Sequence, residues 1–177
     1  MKVGKFVLTA AVAGATWLSA CSDDDDVNPG PGLNSMDRNF MVKAAYGNKA
    51  EVDAGSAAST MGRDSLVRAF GAKMVVDHQN AYADLASLAN NWNIGLPETP
   101  DSVHVAKKQY LLSLSGYSFD TAYMNAQIMD HQATVALFQA ELDSGQQVNL
   151  KAYASKYLPA IKMHLMMADS IAGVLKK

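Results

Sequence analysis

Met74-Val75-Val76-Asp77-His78-Gln79 ends in a triplet that returns as Asp130-His131-Gln132 after Met129, 53 residues further on. Around the first copy the apolar residues fall at Val67, Phe70, Met74, Ala81, Leu85 and Leu88. Around the second they fall at Met124, Ile128, Val135, Phe138 and Leu142. Steps of three and four put each set on one face of a helix, and each histidine falls on that face. A third run, Leu150, Ala154, Tyr157, Ile161, His164, Ala168, Ile171 and Leu175, repeats the arrangement. A buried imidazole must find a polar partner. Three helices that each carry one histidine on the apolar seam therefore offer the histidines to one another, or to something held between them.

Working outward, the periodicity is helical throughout, with no alternating stretch long enough for a strand. A first helix runs from a cap at Asn34 or Ser35 to Gly62, with the stripe Phe40, Ala44, Gly47, Glu51, Ala54, Ala58 and Met61, whose small residues admit a close neighbour. A second starts near Asp64 or Ser65 and fades at Asn90-Asn91. Thr99-Pro100 reads as an N-cap with proline at the first helical position, opening a short helix to about Leu114. Two long helices follow, Ser118 to Ser144-Gly145 and Asn149 to the C-terminus, and Pro159 predicts a kink in the last. These elements predict an all-α fold: a ferritin-like four-helix bundle with a short extra helix in the crossover between the second and third long helices.

The N-terminus reads as targeting rather than fold. Lys2 and Lys5 precede an apolar run from Phe6 to Leu18, too short to span a bilayer but suited to a secretory signal. It ends in Leu18-Ser19-Ala20-Cys21, which resembles a bacterial lipobox with Cys21 as the lipidated residue. Residues 1–20 are then a signal peptide, 21–33 an acidic and Pro-Gly tether, and 34–177 the helical domain. Asp23-Asp24-Asp25-Asp26 also resembles the signal by which Bacteroidetes-type bacteria export lipoproteins to the outer face. The expected location is the outer membrane, facing either the cell surface or the periplasm, with the lipid anchor making the membrane a partner. The only cysteine is Cys21, so no thiol remains for a disulfide, a zinc-thiolate site or a nucleophile. From Asn34 onward 13 basic residues balance 13 acidic ones. A neutral domain without a basic cluster argues against nucleic acid as partner; the sequence names no protein partner.

Counted from the first connecting turn for Glu51 and His78 and from the last for His131 and His164, the depths within each pair differ by only about one to one and a half turns. Three imidazoles and a carboxylate suit a divalent metal ion such as zinc, iron or manganese. Asp77 and Asp130, beside two of the histidines, are further candidate ligands. Asp120, Tyr123 and Gln127 are candidates to orient the imidazoles by hydrogen bonding. Methionines near the histidines would suit copper(I), yet such residues more often fill cores, which ranks copper below the other metals. A buried polar network without metal accounts for the same residues. His104, three residues after Asp101 in the first turn of the short helix, is left outside the site. The sequence offers no serine elbow and no carboxylate pair with divided acid and base roles, so it assigns no catalytic residue.

Glu51-Val52, Met74 through Asp77-His78, the run Leu114-Ser115-Gly116-Tyr117-Ser118-Phe119-Asp120 with Tyr123, Asp130-His131, Leu158-Pro159 and His164 together carry a resemblance. Over about Asp37 to Ala172 the chain resembles the bacterial "predicted outer membrane protein" family, domain of unknown function 4142. The resemblance implies a ferritin-like bundle in an exported protein, and no particular activity. The Glu-x-x-His pairs of di-iron bundles are absent, which speaks against ferroxidase chemistry.

Overall fold

The computed structural model describes Met1 and residues 32–176. The readings of the signal, of Cys21 and of the acidic tether lie outside the described residues. Five helices follow in order: α1 (Ser35–Met61), α2 (Ser65–Asn90), α3 (Ser102–Leu112), α4 (Gly116–Ser144) and α5 (Val148–Leu175). Each start has a local cause. Asn34 caps α1 in a capping box: its side chain accepts from the Asp37 amide at 2.7 Å and Asp37 accepts from the Asn34 amide at 3.1 Å. Asp64 caps α2 by accepting from Leu66 N. The short helix departs from expectation, because Asp101 is its cap and Pro100 lies before it. The Asp101 carboxylate accepts from His104 N at 3.0 Å, and a carboxylate there outcompetes the Thr99-Pro100 start. The last helix runs unbroken through Pro159.

The four long helices pack as two hairpins, α1 with α2 and α4 with α5, and the hairpins meet through α1 against α4 and α2 against α5. Both ends of the bundle are tied. Asp120, at the start of α4, accepts from Arg63 N at 2.9 Å and Asp64 N at 2.8 Å in the α1–α2 turn. Asp37, at the start of α1, accepts from Gln146 N and Gln147 N in the α4–α5 turn. Each long helix is therefore antiparallel to both neighbours, and residues 91–115 carry the chain back along the bundle. Within that crossover α3 lies on α1 and α4. It buries Leu111 alone, and two ion pairs hold it: Lys107 with Asp130 of α4, and Lys108 with Asp53 of α1 at 2.9 Å.

Helices α1 and α2 approach closely at a pair of glycines. A Cβ on Gly55 would come within 2.7 Å of the Gly71 carbonyl, and one on Gly71 within 2.7 Å of the Gly55 carbonyl. Only glycine at both positions lets the two backbones approach this closely.

The apolar core falls into two clusters. Phe40, Leu85, Phe138, Leu150 and Tyr153 belong to one, near the α4–α5 turn. Phe70, Met74, Phe119, Tyr123 and Met124 belong to the other, towards the α1–α2 turn. Between the two, in sequence on every helix, lie the polar seam residues: Asn48 and Glu51 on α1, His78 on α2, Gln127 and His131 on α4, and His164 on α5. All of them are buried.

Candidate metal centre

The three histidine rings form a near-equilateral triangle across α2, α4 and α5. Their centroids are 5.8 Å apart for His78 and His131, 5.6 Å for His78 and His164, and 5.5 Å for His131 and His164. One ring nitrogen from each lies within 4.8 Å of the other two. None of the three residues exceeds 6% exposure.

Hydrogen bonds fix which nitrogen carries the proton. His131 Nδ1 faces the Gln127 carbonyl at 2.9 Å, and a carbonyl can only accept, so Nδ1 holds the hydrogen. His164 Nε2 faces Asp77 Oδ2 at 2.8 Å and donates to that carboxylate. For His78 the polarity is set by a chain. The Tyr153 hydroxyl donates to the Ala81 carbonyl at 3.1 Å, which leaves its oxygen to accept from Asn48 Nδ2 at 3.3 Å. Asn48 therefore turns its amide oxygen to His78 Nδ1 at 2.8 Å, and Nδ1 donates. Each neutral ring then has one bare lone pair: Nε2 of His78, Nε2 of His131 and Nδ1 of His164. All three atoms are buried without a hydrogen-bond partner among the described residues.

Electrostatics favour the neutral form of His78 and of His164. Burial pushes the His78 imidazole well below its ordinary value, and the charges its neighbours His131 and His164 would carry push it further. Burial also lowers His164, opposed in part by the hydrogen bond to Asp77. Burial pushes the Asp77 carboxyl up, but the hydrogen bonds from Lys73 and His164 outweigh it and leave it below the usual carboxylate value. Lys73 pairs with the same Asp77 oxygen at 2.8 Å.

The remaining candidates surround the trio in distinct roles. Glu51 stands behind His131: its Oε1 is 3.8 Å from Nδ1, the protonated side, and its Oε2 accepts from Gln127 Nε2 at 2.7 Å. Burial raises its carboxyl, with the His131 charge and the Gln127 bond pulling the other way. Asp77 braces His164 of α5 rather than its neighbour His78, and Asp130 is engaged by Lys107 of α3. Neither aspartate belongs to the group of mutually close ligand atoms. Gln127 bears on His131 through its carbonyl and on Glu51 through its amide. Asp120 instead caps the α1–α2 turn. Tyr123 stacks on Phe119 at 6.1 Å, its buried hydroxyl has no partner among the described residues, and burial pushes that phenol well above its ordinary value. His104 is half-buried with Nδ1 2.9 Å from Asp101 Oδ1, outside the trio.

Asn48 was missed in the sequence. The buried face of α1 runs through Ala44, Asn48, Glu51, Gly55 and Ala58, a four-three-four-three course that fits as well as the one drawn through Gly47 and Ala54. A buried asparagine on that course was the available signal.

Fold and seam define an antiparallel helical bundle whose core is divided by a layer of inward-facing histidines. The chain belongs to the family described as "Domain of unknown function (DUF4142)", whose model matches residues 24–171. Among solved structures it is similar to the crystal structure of a DUF305 fragment from Deinococcus radiodurans. The TM-score is 0.71 at 13% identity, covering 81% of this chain and 99% of that one, a likeness of fold alone. No curated protein matches the sequence.

Proposed function

We propose that this protein is an exported lipoprotein whose bundle holds a divalent first-row metal ion on His78 Nε2, His131 Nε2 and His164 Nδ1. The observation that carries the reading is the set of fixed tautomers: three buried lone pairs, on rings that each bring a nitrogen within 4.8 Å of the others, have no donor among the described residues. Left that way, each costs about 1 to 3 kcal/mol, whereas one cation satisfies all three. A metal-free polar network, the reading suited to a pure interaction module, leaves that cost in place. Ring hydrogens donated to Gln127, Asp77 and Asn48 are the outer contacts that metal-bound imidazoles use. In a tetrahedral zinc centre with Zn–N near 2.0–2.1 Å, ligand nitrogens are about 3.4 Å apart. The 4.8 Å limit here asks for modest inward ring rotations. Zinc, iron and manganese suit the donor set, and copper(I) ranks below them because the ligands on the seam are imidazoles rather than thioethers.

In this reading Cys21 carries the lipid that holds the bundle at the outer membrane, and Cys21→Ser should shift the protein from the membrane fraction to the soluble one. The metal reading is tested by thermal unfolding with chelator and with each metal. A metal at a hundredfold above its Kd adds about 2.7 kcal/mol, or roughly 5 to 10 °C for a domain of this size. His131→Ala should remove that rise and His104→Ala should keep it. An unchanged melting temperature with every metal, together with metal-free protein by elemental analysis, would overturn the reading.

A further inference from the structure

Helix α3 turns its charges inward. On a helical wheel Lys107, Leu111, His104 and Lys108 share an arc of about 100°, on the side of α1 and α4. Lys107 pairs with Asp130 of α4, Lys108 with Asp53 of α1, His104 lies beside Asp101, and Leu111 is buried. No charged side chain of α3 falls outside that arc. The outward side carries Val103, Val105, Tyr110 and Leu112, which are 40 to 68% exposed. A surface helix ordinarily lays its apolar stripe on the core and gives its charges to water. Here four of the five large apolar residues face outward. Because each lysine is matched by its carboxylate, this face attracts a partner by apolar burial rather than by charge.

The reach of the chain points to what covers it. In the lipoprotein reading Cys21 is fixed at the bilayer surface. It precedes Gly32, just before α1, by 11 residues, a span of at most about 40 Å. Asp53, which holds Lys108, is 18 residues beyond Ser35, about 27 Å along the axis of α1. The α3 face is therefore within reach of the same bilayer, and the tether supplies an effective concentration that a small apolar face does not reach unaided. Tyr110 suits the boundary, since its ring is apolar and its hydroxyl can stay with the headgroups.

We infer that α3 is an interfacial helix that rests on the lipid surface, with Val103, Val105, Tyr110 and Leu112 among the headgroups and upper acyl chains. The inference rests on the lipoprotein reading and adds the orientation of the bundle. With α3 on the bilayer, the α1–α4 side faces the lipid. The α2–α5 side, where Asp77 braces His164, faces away from it.

Brominated lipid tests this, because bromine on an acyl chain quenches an indole only at contact. The lipidated chain is reconstituted in phosphatidylcholine vesicles with and without bromine, as wild type and as Tyr110→Trp. The wild type corrects for Trp17 and Trp92. Tyr110→Trp should be quenched several-fold more than the wild type. Adding Val103→Asp should remove the excess while leaving the melting temperature unchanged, since position 103 is exposed. If mass spectrometry finds no lipid on Cys21, the lipoprotein reading falls and this inference with it. If Cys21 is lipidated and Tyr110→Trp is quenched no more than the wild type, the inference alone is overturned. Excess quenching that survives Val103→Asp overturns it too. So does a dimer in detergent that Val103→Asp dissociates, because the face would then belong to a second copy of the chain.

Discussion

The bundle buries a second polar cluster, and its chemistry differs from that of the histidine layer. Asp37 and Glu141 lie fully buried where α1 begins and α4 ends. Asp37 accepts from three backbone amides, Asn34, Gln146 and Gln147, so its oxygens have donors in place. Glu141 has none on either oxygen among the described residues. Its carboxyl lies against that of Asp37, and burial and the Asp37 charge raise it to about 7. One proton, donated from Glu141 to Asp37, completes that cluster. At the histidine layer every ring proton is already committed outward, so no rearrangement of the protein's own hydrogens supplies a donor. The end cluster closes on itself, whereas the central one keeps three buried lone pairs without donors among the described residues, which in the proposed reading a metal ion fills.

The largest effect should fall on the end cluster. Asp37→Ala strands three amides and uncaps α1, and should cost about 3 kcal/mol in urea unfolding. The loss should be the same with chelator or with zinc. A loss that depended on metal would mean that the two clusters are coupled and the contrast is false.

Next comes the brace behind His164. Asp77→Ala leaves Nε2 without an acceptor and frees the ring to adopt the other tautomer. Loss of such an outer contact typically weakens metal binding by about 10- to 100-fold, or about 1.4 to 2.7 kcal/mol. Isothermal titration should show the weakening, and unfolding in chelator should change far less. Unaltered affinity would mean that the ring is oriented by packing alone.

Much of this was legible in the sequence, and its limits have a physical cause. Caps act within one turn, so Asn34, Asp64 and the stops at Gly62 and Gly145 could be read directly. Seam spacing placed His78, His131 and His164 on three buried faces. What spacing cannot reveal is which helix supplies a partner. Asp77 is adjacent to His78 in sequence but serves His164 across the α2–α5 contact. Asp130 is adjacent to His131 but turns to α3. Asp37 and Glu141 are 104 residues apart, and their meeting depends on the antiparallel course of α1 and α4.

Acid and base should pull the two clusters in opposite directions, with a smaller effect. Glu141 is raised from an ordinary 4.5 to about 7. Its contribution to stability is thus complete below about pH 4.5 and is lost as pH rises towards 7. His78 and His164 are lowered from 6.5, so theirs is complete above about 6.5 and is lost as pH falls through their folded values. Glu141→Gln should remove the first component alone, so that melting temperature in chelator climbs more steeply from pH 4.5 to 7 than in the wild type. Parallel profiles would show that Glu141 does not hold the shared proton.

The smallest effect should come from Asp130→Asn. Its carboxylate is paired with Lys107, and the two side chains retain 21% and 31% exposure, so solvent screens much of the attraction. The exchange should cost about 0.2 to 1 kcal/mol, and less in high salt. Lys108–Asp53 continues to hold α3, and His131 keeps its bond to the Gln127 carbonyl, so metal affinity should stay within about twofold. This variant is the sharpest check on the composition of the central layer. Asp130 is adjacent to a proposed ligand and would be a natural fourth one if the Lys107 pair opened on metal binding. A tenfold or larger loss of metal affinity in Asp130→Asn would make it a ligand. The protein would then complete its own coordination shell, and the central cluster would close on itself as the end cluster does.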